Sequence, residues 1–364
     1  MATKTDFFGE LQKATNNEFA SLVDDGVDAG DVTGFIDTGA YILNGLTSGD
    51  LFKGIPNSKI TAFVGESATG KTFFVLGIVR QFLEDNPDGG VMYFESESAI
   101  SKDMIVERGI DPKRIRIVPV TTIQEFRTQA ISVIDKYLAF PEKERKPLLM
   151  VLDSLGQLST TKEVNDSAAG LETKDMTRAG LVRGAFRVLT LKLGRAKVPL
   201  LMTNHVYAAI GGMFPTNEVA GGGGLKYSAS NIVVLSKRKE KDGTDVIGNI
   251  IHCKNYKARL TKENKVVDVL LTYDKGLDRY YGLLPLALKY GIFEKVGNKV
   301  KLPDGVTKFE KQINNNPTKY FTQEILEKLN VAAATEFKYG SATNQGGVQE
   351  LDGEENVESE TTEE

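Results

Sequence analysis

One short segment narrows what this chain can be more than any other. Gly65-Glu66-Ser67-Ala68-Thr69-Gly70-Lys71-Thr72 fits the pattern G-x-x-x-x-G-K-[ST]. The apolar run Lys59-Ile60-Thr61-Ala62-Phe63-Val64 before it reads as a strand, and residues 73–83 after it carry apolar side chains at helical spacing. A glycine-rich turn between strand and helix aims several backbone N–H groups from a helix N-terminus, where the dipole favours phosphate. Lys71 is placed to reach the outer phosphates, and the Thr72 hydroxyl to hold Mg²⁺. The pattern predicts a nucleoside triphosphate site.

Apolar strand-like runs recur around this motif, at 91–94, 148–152, 200–203, 232–235, 249–252 and 266–271. They are continuous rather than alternating, as in a sheet buried on both faces. Alternation with helical segments up to about residue 203 implies right-handed βαβ crossovers and a parallel sheet. The three later runs follow one another without long helices and are expected to add an antiparallel edge. The expected fold class is α/β, a phosphate-loop core with a mostly parallel, doubly wound sheet.

Four regions follow from the pattern. Residues 1–34 hold an amphipathic helix from 6 to about 25, with Phe7, Phe8, Leu11, Phe19, Leu22 and Val23 among polar positions, and a Gly/Asp-rich linker. That helix packs either on its own core or on a neighbouring protomer. Residues 35–285 form the core, and 286–340 a small segment with helices near 285–291 and 320–329, the second capped by Thr322. Residues 341–364 read as a disordered tail. Its end carries Glu350, Asp352, Glu354, Glu355, Glu358, Glu360, Glu363 and Glu364 without a lysine or arginine. Without those acids the formal charge of −4 becomes a basic body, so the overall acidity does not exclude a nucleic-acid partner. Cys253 is the single cysteine, which excludes a disulfide framework. No apolar run is long enough to span a bilayer, and the N-terminus lacks a secretory signal, so a cytoplasmic protein is expected.

The chemistry is expected at strand ends, because an open α/β sheet binds ligands outside its carboxyl edge. Asp153 ends the run 148–152 and is placed to support Mg²⁺ beside the phosphate loop. Tyr93-Phe94-Glu95-Ser96-Glu97 supplies two carboxylates that share a side in strand geometry, so spacing does not choose between them as the base that activates water. His205 follows the run 200–203 and is placed to sense the γ-phosphate. Beyond it lies a long glycine-rich loop, 207–224, whose apolar residues Ile210, Met213, Phe214 and Val219 suit wedging against nucleic-acid bases. A second loop, 160–170, follows the Asp153 strand.

In this order the motifs resemble the RecA family of strand-exchange recombinases, and within it the phage UvsX type. Residues 65–72, Glu95-Ser96-Glu97-Ser98-Ala99, Leu152-Asp153-Ser154, Thr203-Asn204-His205 and Gly222-Gly223-Gly224-Leu225-Lys226-Tyr227-Ser228-Ala229-Ser230 carry the resemblance, over about residues 35–275. It implies a RecA-like core, ATP and Mg²⁺ as ligands, and Glu97 as the activating carboxylate. His205 stands where many bacterial relatives carry glutamine and the phage branch histidine. The resemblance makes 160–170 and 207–224 the two DNA-binding loops, with Lys162, Tyr207, Met213, Phe214, Gly222 and Gly223 as contacts and Arg187 beside them. Lys254 and Lys257 resemble lysines that reach a neighbour's ATP, although two residues separate them here where many bacterial relatives have one.

The function so implied is ATP-dependent pairing and strand exchange, with helical filaments on single-stranded DNA and a homologous duplex as second partner. Head-to-tail contacts that do not close generate such filaments. The resemblance also implies a recombination mediator and a single-strand DNA-binding protein as partners. The N-terminal helix would be an oligomerisation arm, and the acidic tail a restraint on DNA binding. A ring-forming helicase motor with the same core is the alternative.

Overall fold

The computed structural model describes residues 7–17, 20–27, 29–171, 175–208, 217–219, 223–242, 245–273 and 276–340. The strands are β1 (Phe35–Ile36), β2 (Ile55–Pro56), β3 (Ile60–Gly65), β4 (Gly90–Glu95), β5 (Ile115–Pro119), β6 (Leu148–Asp153), β7 (Leu200–Ala208) and β8 (Asn217–Val219). They continue with β9 (Asn231–Asp242), β10 (Asp245–Ala258), β11 (Val266–Thr272), β12 (Gly276–Leu277), β13 (Glu294–Val296), β14 (Lys299–Lys301) and β15 (Thr307–Lys308). The helices begin with α1 (Phe7–Ala14), α2 (Tyr41–Ser48), α3 (Lys71–Asp85), α4 (Lys102–Glu107), α5 (Ile123–Leu138) and α6 (Thr161–Ala168). After them come α7 (Arg178–Ala196), α8 (Gly223–Ser228), α9 (Leu283–Lys289), α10 (Glu310–Asn315), α11 (Pro317–Tyr320) and α12 (Gln323–Phe337). No described helix is long and apolar enough to cross a membrane.

The main sheet runs β12-β11-β10-β9-β3-β7-β6-β4-β5, with β8 paired to β7. From β9 to β5 all neighbours are parallel, whereas β10, β11 and β12 are added antiparallel. The α/β class is as expected. One strand differs: the run 232–235 belongs to β9, which lies parallel beside β3, so the antiparallel extension starts only at β10. A crossover through α8 returns the chain to the far edge of β3, a route that the absence of a long helix had concealed.

The two faces explain the continuous apolar strands. Phe63 of β3 and Leu149 and Val151 of β6 pack on one side with Phe74, Ile78 and Val79 of α3. Their neighbours Ala62, Val64, Met150 and Leu152 pack on the other with Phe126 of α5 and Phe186 and Leu189 of α7. Successive residues of a strand point to opposite faces, so both sets must be apolar.

Two loops and one helix depart from expectation. The segment 160–170 holds α6, begun by a capping box in which Thr160 accepts from the Glu163 N–H and Glu163 accepts from the Thr160 N–H. Within 207–224, β7 extends to Ala208 and pairs antiparallel with β8, and α8 starts at Gly223. At the N-terminus α1 ends at Ala14, and a separate 3-10 turn covers Val23–Asp25. Asn16, at a left-handed φ of 50°, stands two residues beyond the end of α1. The acidic tail 341–364 lies outside the described residues.

The C-terminal segment shares the first core: Phe293, Phe321, Leu326, Leu329 and Phe337 belong to the same apolar cluster as Phe74. Thr322 caps α12 as expected, accepting from the Ile325 N–H. A polar clasp adds to this packing. Glu336 on α12 accepts from Lys265 ahead of β11 at 2.7 Å, from Lys289 of α9 at 2.6 Å and from the Tyr290 hydroxyl at 2.8 Å. Burial alone would raise the Glu336 carboxyl, but these three donors outweigh it and hold it at about 2, below the ordinary 4.5. A depressed carboxyl stabilises the fold above its unfolded pKa and loses that contribution as pH falls toward the folded one. Glu336→Gln is therefore expected to cost about 2 kcal/mol at neutral pH, after allowance for solvent screening. Thermal melts from pH 7 to pH 2 should show the wild-type advantage shrinking below about pH 4.5; a gap independent of pH would refute the charge-based account.

Candidate active site at the carboxyl edge of the sheet

Every residue of β3 is buried, and it delivers the loop 66–70 to the N-terminus of α3. Gly65 is required by crowding, since a Cβ there would stand 2.6 Å from the Leu235 carbonyl oxygen of β9. Gly70 adopts φ +93°, the left-handed region that favours glycine, and turns the backbone into the helix. No side chain caps α3, so its first N–H groups face the loop. Thr69 donates to the Glu66 carbonyl at 2.5 Å, and Lys237 of β9 donates to the Ala68 carbonyl. Ser67 lies within the same loop. The Lys71 ammonium is 3.1 Å from the Gly65 carbonyl and 2.8 Å from that of Glu66. Burial lowers its pKa, while the nearby Glu97 and Asp153 carboxylates oppose that shift.

Asp153 ends β6 and is buried. Its Oδ2 accepts from the Thr72 hydroxyl at 2.8 Å and from the Tyr93 hydroxyl at 2.7 Å, and its Oδ1 accepts from the Thr203 hydroxyl. Those donors come from α3, β4 and β7, so three neighbouring elements fix one carboxylate. Burial, then the Asp153 charge, pushes the Tyr93 phenol well up and keeps it a donor. Thr72 and Asp153 present two hard oxygens to the same space. That set suits Mg²⁺, which takes one or two protein oxygens and completes its octahedron with water and phosphate. Among the described residues no cluster of three or more His, Cys, Asp or Glu side chains suits a metal.

The structure separates the two glutamates. β4 ends at Glu95, which is buried and accepts from the Glu97 and Ala99 N–H groups, both at 2.9 Å. Its carboxylate shapes the turn. Glu97 lies past the strand, partly exposed, accepting from the Ser154 hydroxyl at 2.6 Å. His205 on β7 brings Nε2 to 3.4 Å from Glu97 Oε1. Ser96 locks this turn to the end of β6 through the backbone of Ser154. The site thus gathers Lys71 and Thr72 from the helix after β3, Glu97 from the turn after β4, Asp153 from β6 and His205 from β7.

Beside the phosphate loop lies a cavity of about 560 Å³, walled by Ala68, Gly70 and Phe73 and, opposite, by Leu271, Tyr273 and Leu277. The Arg108 guanidinium stacks 4.1 Å over the Phe73 ring. Sequence reasoning passed over this wall because β11 and β12 reach it only through the order of the sheet.

The other described residues singled out by sequence are not among those that meet at Asp153 and Glu97. Lys162 is exposed on α6 and Arg187 on α7. Tyr207 pairs with Glu218 across β7 and β8, and Gly223 opens α8. Met213, Phe214 and Gly222 lie outside the described residues. Between Asn255 and Lys257 a β-bulge shifts the register of β10, so Lys254 faces Val234 and Lys257 faces Ile232 on β9. The bulge absorbs the extra residue and returns both lysines to one face. Lys254 is exposed, whereas the Lys257 ammonium reaches the Ala229 carbonyl at 2.8 Å and also that of Lys226, at the end of α8.

A family profile described as the RecA N-terminal domain matches residues 21–278. The chain belongs to the RecA family. It is 30% identical over 257 residues to the recombination and repair protein of Enterobacteria phage T4, a match covering 71% of this chain and 64% of that one. To protein RecA of Malacoplasma penetrans it is 30% identical over 274 residues, covering 72% and 78%. To protein RecA of Thermotoga maritima it is 27% identical over 248 residues, covering 67% and 66%. The chain therefore spans slightly less than two thirds of the phage relative's length. The resemblance drawn from the ordered motifs is borne out, its phage type included.

The division of labour between the glutamates is open to test. Glu95→Ala strips the Glu97 and Ala99 N–H groups of their carboxylate acceptor and should cost about 1–3 kcal/mol. Glu95→Gln keeps one acceptor oxygen and should cost less. Denaturant melts of both variants decide it, and unchanged stability in Glu95→Ala would remove the turn-shaping role.

Proposed function

We propose that this RecA-family chain is an ATP-dependent DNA strand-exchange recombinase that forms helical filaments on single-stranded DNA and pairs it with homologous duplex. The observation that carries the reading is the meeting of Glu97 and His205. A carboxylate suited to deprotonate water stands 3.4 Å from a side chain on β7, the strand that continues into the segment 207–224. Hydrolysis and the DNA-facing segment are thereby joined by a single side-chain contact. The names of the relatives, recombination and repair protein and RecA, support recombination over a ring helicase or a metabolite kinase.

In this reading the 66–72 backbone and the Lys71 ammonium hold the phosphates of ATP, and the cavity walled by Phe73 and Tyr273 takes the base and sugar. Thr72 and Asp153 would hold Mg²⁺, whose charge would offset that of the phosphates. Glu97, kept in place by Ser154, takes a proton from the attacking water. His205 reports the state of that pair to β7. Lys254 faces outward from β10 for a neighbour's nucleotide, while Lys257 supports α8. Phe7, Phe8 and Leu11 of α1 are exposed and would dock on the next protomer. An apolar face left uncovered on one copy suits a head-to-tail contact that does not close. The mediator and the single-strand binding protein are proposed as partners on family likeness alone.

Glu97→Gln keeps the shape and removes the base, so DNA-dependent ATP hydrolysis should fall by about two orders of magnitude or more. ATP should still bind, and filaments should outlast those of the wild type under electron microscopy. Near-normal turnover in Glu97→Gln would reject this assignment. Asp153→Asn removes the charge beside Thr72 and should raise the Mg²⁺ needed for half-maximal nucleotide binding about ten-fold or more. An unchanged Mg²⁺ titration would move the metal elsewhere.

A further inference from the structure

The Glu97–His205 contact has a neighbour on its outer side that the proposed chemistry does not use. After β6 the chain makes a 3-10 turn, Leu155–Gln157, before reaching Thr160 and α6. Ser154, which leads into the turn, donates to Glu97 at 2.6 Å. Gly156, within it, lies against β7: a Cβ there would stand 2.8 Å from His205 Cδ2 and 3.1 Å from Asn204 Oδ1. One short peptide therefore touches both members of the pair.

The same peptide is held from behind by the start of α7. Arg178 directs one guanidinium nitrogen at the carbonyls of Gly156 (3.1 Å) and Leu158 (2.8 Å), and more loosely at Leu155 (3.5 Å). These carbonyls carry partial negative charge, so a guanidinium suits them, and that of Leu155 also accepts from the Leu158 N–H within the turn. The buried Asp175 reinforces the joint. Its carboxylate accepts from the Thr160 hydroxyl at 2.8 Å, and from the Thr177 N–H and hydroxyl at 2.8 and 2.6 Å. Thr160 also caps α6. The entry to α6 and the entry to α7 are thus tied to each other, and through Arg178 to the peptide that touches Glu97 and His205.

We propose that Arg178 and the turn Leu155–Gln157 are the coupling element through which DNA on the α6–α7 side sets the spacing of His205 and Glu97. The inference rests on the recombinase reading above and adds to it the regulation of the site. At 3.4 Å the histidine–glutamate contact is longer than a good hydrogen bond. A displacement of the turn by a few tenths of an ångström against β7 would change that spacing. DNA that bears on Lys162 or Arg187 would push on α6 or α7, and the tied joint would carry that push to the turn. Arg178 is a positioning residue here, since it touches neither nucleotide-binding residues nor Glu97.

Two substitutions test the coupling from opposite ends. Arg178→Gln removes the charge that holds the turn, and Gly156→Ala inserts a methyl group against the His205 ring. Purified full-length proteins are compared with wild type by ATP hydrolysis with and without poly(dT), by KM for ATP, by poly(dT) affinity from fluorescence anisotropy, and by thermal melting. In both variants the stimulation by poly(dT) should fall about ten-fold, with DNA-independent turnover, KM and DNA affinity staying within about three-fold of wild type. Arg178→Lys should restore part of the stimulation, which a general packing defect would not allow. Stimulation retained in both Arg178→Gln and Gly156→Ala overturns the proposal. So does a loss that tracks DNA affinity, because Arg178 would then be a DNA contact. If Arg178→Gln does not fold, Gly156→Ala alone decides. Wild-type protein without any stimulation by poly(dT) would remove the recombinase reading itself, an outcome distinct from failure of the coupling.

Discussion

A buried carboxylate without partners is among the costliest groups a protein can hold, and Asp153 sits at the centre of this sheet's carboxyl edge. Its solution is three hydroxyls, each from a different element: Thr72 of α3, Tyr93 of β4 and Thr203 of β7. The demand works in both directions. Satisfying the charge fixes how the phosphate-loop helix and two strands meet, and that meeting sets where Glu97 and His205 stand. Removal of any donor leaves negative charge underpaired at a buried position. The site is rigid for the same reason that it is charged.

Much of this was legible in the chain. The phosphate loop announces itself because strand, turn and helix are contiguous, so local pattern contains the whole device. Asp153 was visible as a carboxylate ending an apolar run, and His205 as a polar residue following another. Glu95 and Glu97 could not be told apart by alternation, because β4 stops at Glu95 and Glu97 belongs to a turn. Only the fold shows that Glu95 is committed to two backbone N–H groups. Tyr93, Thr203, Tyr273 and Leu277 were invisible as site residues since their relevance depends on which strands become neighbours. α6 was a readable feature left unread: Thr160 and Glu163 have the spacing of a capping box, yet polarity suggested a loop.

A β-bulge of β10 falls between Lys254 and Lys257, and the register beyond it recovers. Side-chain direction in a strand depends on position parity, so an insertion without a bulge would have turned every later residue of β10 over. The cost is confined to one irregular pair. Lys254 stays outward while Lys257 is drawn into supporting α8, where its charge meets carbonyls at a helix end.

The order of the sheet has a consequence for how the protein is made. β3 lies between β7 and β9, both of which come far later in the chain. A nascent chain that has emerged through α3 carries the complete phosphate-loop sequence yet has no neighbour for either edge of its strand. Contacts so distant in sequence close late, since the entropy of a long loop must be overcome before they contribute. During synthesis the apolar edge of β3 is open to pairing with other chains, and the ligand site comes into being only when β9 docks. The phosphate-loop site is thus a property of a chain grown through β9, not of the phosphate-loop segment alone.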